Sequence, residues 1–96
     1  MARGKLTAQA AQAKLGNLEG WALRDERLHK VFRFGDFPEA IGFMTRVAFD
    51  AERLGHHPNW SNVYNRVEVT LWTHDVGGLT DLDFQLADAI DRRVGD

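Results

Sequence analysis

Three of the four histidines lie between positions 56 and 74, in the segments Gly55-His56-His57-Pro58 and Thr73-His74-Asp75. Histidine suits proton transfer near neutral pH, because its unperturbed pKa lies close to the working range. His56 and His57 follow the predicted C-terminal end of a long helix. Unpaired carbonyls there carry partial negative charge and favour an imidazolium. Pro58 biases His57 toward extended backbone, so the chain leaves the helix in a definite direction. Adjacent side chains of an extended segment point to opposite sides, so the two rings would not share one job. The residues leave three readings open: surface histidines bonded to carbonyls or water, a metal site, or an acid–base pocket.

The metal reading fits the spacing poorly. Histidine triads bind zinc, but the i, i+4 helical pair is missing, and nothing in the spacing requires Glu52 or Asp83 as further ligands. No metal is expected. The chain has no cysteine, which removes disulfides, thiolate metal sites and a cysteine nucleophile. Ser61 lacks a nucleophile-elbow pattern, and Gly77-Gly78 does not match a phosphate-binding loop. A formal charge of -2 gives no general electrostatic reason to expect nucleic acid or an anionic membrane. The opening run Met1-Ala2-Arg3-Gly4-Lys5-Leu6 lacks a signal peptide's apolar stretch, and no segment approaches membrane-spanning length. The expected location is the cytoplasm.

The elements that must position these residues fit one domain, residues 1–96. Thr7 predicts the cap of a first helix through Leu15, stopped by Gly16. Trp21–Arg24 and Leu28–Phe34 read as strands, joined by a turn over residues 24–27. The clearest element is a helix from about Asp36 to Leu54. Asp36 is its N-cap, Glu39 sits three residues on, Pro38 lies harmlessly in the first turn, and Gly55 is the stop. Phe37, Ala40, Ile41, Met44, Val47, Ala48, Ala51 and Leu54 form its predicted apolar stripe. Val63 and Tyr64 read as a short strand and Arg66–His74 as a longer one. In the latter, Val67, Val69, Leu71 and Thr73 share one face; Glu68, Thr70, Trp72 and His74 share the other. Thr80, with Asp83 three residues later, starts a last helix to about Arg93, with Leu82, Leu86, Ala89 and Ile90 as its buried stripe. The predicted order is α-β-β-α-β-β-α: an α+β domain whose four-stranded antiparallel sheet carries helices mainly on one face.

These residues also form a recognisable set. Gly42-Phe43-Met44-Thr45-Arg46-Val47-Ala48, residues Ala51 to Trp60, and Asn62-Val63-Tyr64-Asn65-Arg66-Val67 strongly resemble the pterin-4a-carbinolamine dehydratase family. Thr73-His74-Asp75, Gly78-Leu79-Thr80 and Asp83 complete the pattern, and the resemblance runs from about Trp21 to Ile90. It implies dehydration of 4a-hydroxytetrahydropterin to quinonoid dihydropterin, without metal or organic cofactor. It also implies a functional link to the aromatic amino acid hydroxylase that leaves this carbinolamine behind. His56, His57 and His74 occupy the family's active-site positions: His57 or His74 would handle acid–base steps, while His56 would hold and polarise the pterin. Glu52 matches an acidic family position that could orient a ring. Pro58, Trp60, Thr73 and Asp75 would shape the substrate pocket, and Asp83 would stand behind it. Plainer roles compete: a core aromatic for Trp60, solvated or capping carboxylates for Glu52 and Asp83.

Two residues depart from the pattern. Gly55 stands where many relatives carry an acid, and Asn59 where many carry glutamate. Gly55 makes a better helix stop but removes a carboxylate beside His56, so rate or substrate preference could differ. On the far side of the long helix, Gly42 and Phe49 share a line flanked by Thr45, Arg46 and Arg53, which predicts helix–helix contact between subunits. The resemblance points the same way, to a homodimer or homotetramer. It also supplies a rival, a non-enzymatic binding module, because animal relatives act as dimerisation partners for a transcription factor. Intact His56, His57 and His74 favour the enzyme.

Overall fold

The computed structural model describes residues 4–95; Met1 to Arg3, part of the opening run read above, lie outside it. Three helices and four strands follow in the order α1 (Ala8–Leu15), β1 (Ala22–Arg24), β2 (Arg27–Arg33), α2 (Phe37–Leu54), β3 (Asn59–Val63), β4 (Arg66–Leu71) and α3 (Asp81–Arg92). A single 3-10 turn, His74–Val76, separates β4 from α3. The sheet is antiparallel throughout, in spatial order β1-β2-β4-β3. The two central strands pair with Leu28 opposite Leu71, Lys30 opposite Val69 and Phe32 opposite Val67.

Local chemistry sets the helix boundaries. Thr7 accepts the Ala10 N–H at 3.1 Å, and Asp36 accepts the Glu39 N–H at 2.9 Å. Each thereby satisfies a first-turn amide that has no partner within its helix. Gly55 ends α2 in the left-handed conformation, φ 63°, which a residue with a Cβ adopts at a penalty. The β1–β2 hairpin turns through Asp25 and Glu26, both at positive φ (51° and 59°), as a two-residue loop matching strand twist requires.

Alternation along the strands builds the core. Leu28, Phe32, Val67, Val69 and Leu71 are buried on one sheet face, beneath Ala40, Phe43, Val47 and Ala51 of α2 and Leu86, Ala87 and Ile90 of α3. Phe43 is fully buried, its ring 5.0 Å from that of Phe32 and 4.8 Å from that of Phe34. Burying a side chain of this kind contributes roughly 1.5–3 kcal/mol.

Several boundaries and faces differ from those read in the sequence. β3 begins at Asn59, because Pro58 delivers the chain in extended form, and Tyr64 (φ 51°) belongs to the turn after it. β4 stops at Leu71. Thr73 instead bridges Gly78, and the Gly77 N–H reaches the carbonyls of Thr73 and His74, both at 3.1 Å, closing a tight loop that takes His74 off the strand. The buried stripe of α2 runs through Ala40, Phe43, Val47, Asp50 and Ala51, leaving Phe37 and Ile41 substantially exposed. The reason is that α2 packs on the sheet and α3 together, which turns Phe43 inward. In α3, Leu82 is exposed and Asp83 is buried instead.

Candidate active site

The end of α2 and the loop after β4 meet beside the start of α3. There a cleft of about 400 Å³ is lined by Gly55, His56, His57, Trp72, Thr73, His74 and Asp75. All three histidines singled out in the sequence thus face one cavity, with Thr73 and Asp75 beside them.

Each imidazole is held differently. His56 Nε2 lies 2.6 Å from Asp83 Oδ1, the distance of an N–H donated to a carboxylate, and Nδ1 takes no part in that contact. Asp83 is 0 % exposed and its other oxygen accepts the Thr73 hydroxyl at 2.9 Å and the Thr80 N–H at 3.0 Å. A buried carboxylate is tolerable only when its lone pairs are met in this way. The Thr73 and Thr80 hydroxyls lie 2.8 Å apart and close the network. The first turn of α3, the end of β4 and the exit of α2 are therefore tied to one carboxylate, and the His56 side chain is only 12 % exposed.

His57 lines the same cleft but is held by a different carboxylate. Its side chain is 67 % exposed, with Nε2 3.1 Å from Oε1 of Glu52, which lies near the end of α2. His74 is exposed, and its Nε2 stands 3.4 Å from the Asn59 side-chain nitrogen, beyond normal hydrogen-bond length. Its ring stacks on Trp72, centroids 4.4 Å apart and planes 10° from parallel.

Two predicted pocket residues lie elsewhere. Trp60, paired with Val69 on the helix-covered side of the sheet, packs partly buried against the core. Pro58 is half-buried and steers the chain out of His57 without lining the cleft. The aromatic on the cleft wall is Trp72, absent from the predicted pocket. The alternation that put Trp72 and His74 on one face was the signal available for it.

The fourth histidine, His29, is separate. On the open sheet face it bonds Glu68 at 2.6 Å, and the Arg24 guanidinium lies 3.0 Å from its Nδ1. The His29 hydrogen bond holds the Glu68 carboxyl below the usual carboxylate range. On the opposite side of the molecule Asp50, also buried, accepts from Arg93 at 2.7 and 3.0 Å, and this contact lowers its pKa. Among the described residues, no group of three or more metal-ligating side chains is arranged to hold an ion, and no helix is long and apolar enough to cross a membrane.

Fold and cleft together define a small α+β protein with imidazoles from two separate backbone segments gathered at one helix end. The family model for pterin 4 alpha carbinolamine dehydratase matches residues 4–93, and the chain belongs to that family of hydro-lyases. A relative from Rhizobium johnstonii, named "Putative pterin-4-alpha-carbinolamine dehydratase", is 54 % identical over 90 residues, covering 92 % of this chain and 89 % of its own. A Prochlorococcus marinus protein of the same name is 54 % identical over 85 residues, 88 % of each chain. Among solved structures, a transcriptional coactivator/pterin dehydratase from Brucella melitensis superposes with a TM-score of 0.91 at 43 % identity, covering 95 % of this chain and 99 % of that one. A pterin dehydratase-like RuBisCO assembly factor of the alpha-carboxysome shares the fold, with a TM-score of 0.65 at 23 % identity over 79 % of this chain and 88 % of that one.

Proposed function

We propose that the cleft removes water from a 4a-hydroxytetrahydropterin, giving the quinonoid dihydropterin, by histidine acid–base catalysis. The observation that carries this reading is the convergence of His56, His57 and His74 on a single cavity large enough for a bicyclic heterocycle. The chemistry asks for two proton transfers. The 4a-hydroxyl is a poor leaving group until an acid protonates it, and the neighbouring ring nitrogen must give up its proton as the C=N bond forms. One C–O bond breaks, one C=N bond forms, and water carries away the delivered proton.

The surroundings of the histidines divide these tasks. His56, clamped by buried Asp83, offers a fixed Nδ1 to the pterin and serves to hold and polarise it. His57 and His74 are exposed and lightly held, as groups that exchange protons with substrate and solvent must be. Glu52 orients His57, while Thr73 and Asp75 shape the wall. The product is a substrate for reductive recycling, which links the protein to an aromatic amino acid hydroxylase, and the working location is the cytoplasm. Exposed Phe49, Phe37 and Ile41 on α2 serve as a contact between copies of the chain, in a homodimer or homotetramer.

The direct test is spectrophotometric: synthetic 4a-hydroxytetrahydropterin is mixed with the protein and formation of quinonoid product is followed against buffer. Acceleration supports the reading; a rate equal to buffer overturns it. The rival, a binding module without catalysis, gains support from the coactivator half of the Brucella description. It has no need of three imidazoles around one cavity.

A further inference from the structure

His74 differs from its two companions in how it is held. His56 and His57 each bond a carboxylate, whereas His74, among the described residues, has only the long contact to Asn59. It also sits on a short exposed turn, where an unrestrained imidazole would sample several rotamers. What fixes its plane is Trp72, stacked on it at 4.4 Å. Trp72 is itself braced: the Arg27 guanidinium carbon lies 4.1 Å from the centre of its ring, the geometry of a cation–π contact.

Sheet order explains why these layers form. β4 lies between β2 and β3. Arg27 opens β2 and, by the register that pairs Leu28 with Leu71, falls beside Trp72. His74 lies toward β3, its Nε2 3.4 Å from the side chain of Asn59 at the start of that strand. The indole therefore contacts both a guanidinium and an imidazole.

We infer that Trp72, braced by Arg27, is a positioning residue that sets the ring plane of His74 for proton transfer; this deepens the pterin dehydratase reading and rests on it. Arg27 belongs to the same device although it lines a different hollow, on the open sheet face with Arg24, Asp25, His29, Glu68 and Thr70. Stacking takes the place of the carboxylates that orient the other two rings, and among the described residues the nitrogens of His74 have no ionic partner. That suits a group whose task is to exchange a proton.

The test combines two readouts. Ring protons of a stacked imidazole resonate upfield through the indole ring current, so the His74 Cε1–H and Cδ2–H signals should move downfield in Trp72→Leu and largely stay in Trp72→Phe. Steady-state dehydration should show kcat lowered by about 10²-fold in Trp72→Leu with KM little changed, and restored most of the way in Trp72→Phe. If Trp72→Leu does not fold, Arg27→Gln, which alters an exposed side chain, carries the test. It should lower kcat by about 2- to 5-fold and shift the same resonances part of the way. His74 signals unmoved by loss of the indole, or moved without any change in kcat, would overturn the inference. A wild type with no dehydratase activity would defeat the functional reading instead; the resonances would then still decide whether Trp72 holds His74.

Discussion

Asp83 Oδ1 and His56 Nε2 stand 2.6 Å apart across 27 residues of sequence, joining the first turn of α3 to the exit of α2. The carboxylate has no exposure to solvent and also accepts from Thr73 and Thr80, so one buried charge both folds the cleft and aims a cleft histidine. The two roles separate by substitution. Asp83→Ala strands three donors and should destabilise the protein by about 3–5 kcal/mol, measured by urea unfolding. Asp83→Asn keeps the shape and loses the charge; kcat/KM for dehydration should fall by about 10²-fold, more than its loss of stability explains. Wild-type kinetics in Asp83→Asn would make the contact purely structural.

Asp50 and Arg93 lock the end of α3 onto α2, and the hydrogen bonds from Arg93 lower the Asp50 pKa. The sign follows from linkage. A carboxyl whose folded value is depressed contributes stability that is complete above its unfolded value, about 3.9, and is lost as pH falls through the folded one. The difference in urea midpoint between wild type and Asp50→Asn should therefore be level near neutral pH and shrink as the solution is acidified below about pH 4. A difference that stays level down to acid unfolding would contradict the pairing.

Gly55 holds φ at 63°, and a Cβ added there would meet no atom within 4 Å. Only backbone strain opposes substitution. Gly55→Ala should lower stability by about 1–2 kcal/mol, read as a drop in Tm, while the cleft keeps its volume. Gly55→Asp tests the departure from the family pattern: a carboxylate beside His56 at similar backbone strain. If the missing acid limits the rate, that variant should dehydrate faster than Gly55→Ala; equal rates would show that Gly55 serves only to stop the helix.

Phe49 is 71 % exposed on α2, which also exposes Phe37 and Ile41. If α2 joins copies of the chain, light scattering coupled to size exclusion should report a dimer or tetramer at micromolar concentration and a smaller species for Phe49→Asp. A monomeric wild type would remove the proposed contact.

Sequence signals were clearest where one local rule sufficed. Asp36 and Gly55 bracket α2 by capping chemistry alone, and the structure places its ends there. His56 and His57 were legible for the same reason, since a helix stop followed by proline leaves the chain few directions. Positions settled by tertiary contacts were harder. Phe43 and Asp50 lie off the stripe drawn by periodicity, because α2 answers to α3 as well as to the sheet. Alternation assigned His74 to a strand, yet Gly77, at φ 65°, folds the backbone into a tight loop two residues after Trp72. The resemblance made Trp60 a pocket residue, with a core aromatic as the competing reading; register with Val69 packs it, partly buried, against the core. Trp72 takes the place beside the cleft, and pairing between distant strands decides that exchange.

The most direct measurement compares dehydration of synthetic 4a-hydroxytetrahydropterin by wild type and by His56→Ala, His57→Ala and His74→Ala, each confirmed as folded. Loss of an acid or base should lower kcat by about 10²- to 10⁴-fold in His57→Ala, His74→Ala or both. His56→Ala should act mainly on KM. Three variants as fast as the wild type would contradict the assignment of the chemistry to these imidazoles.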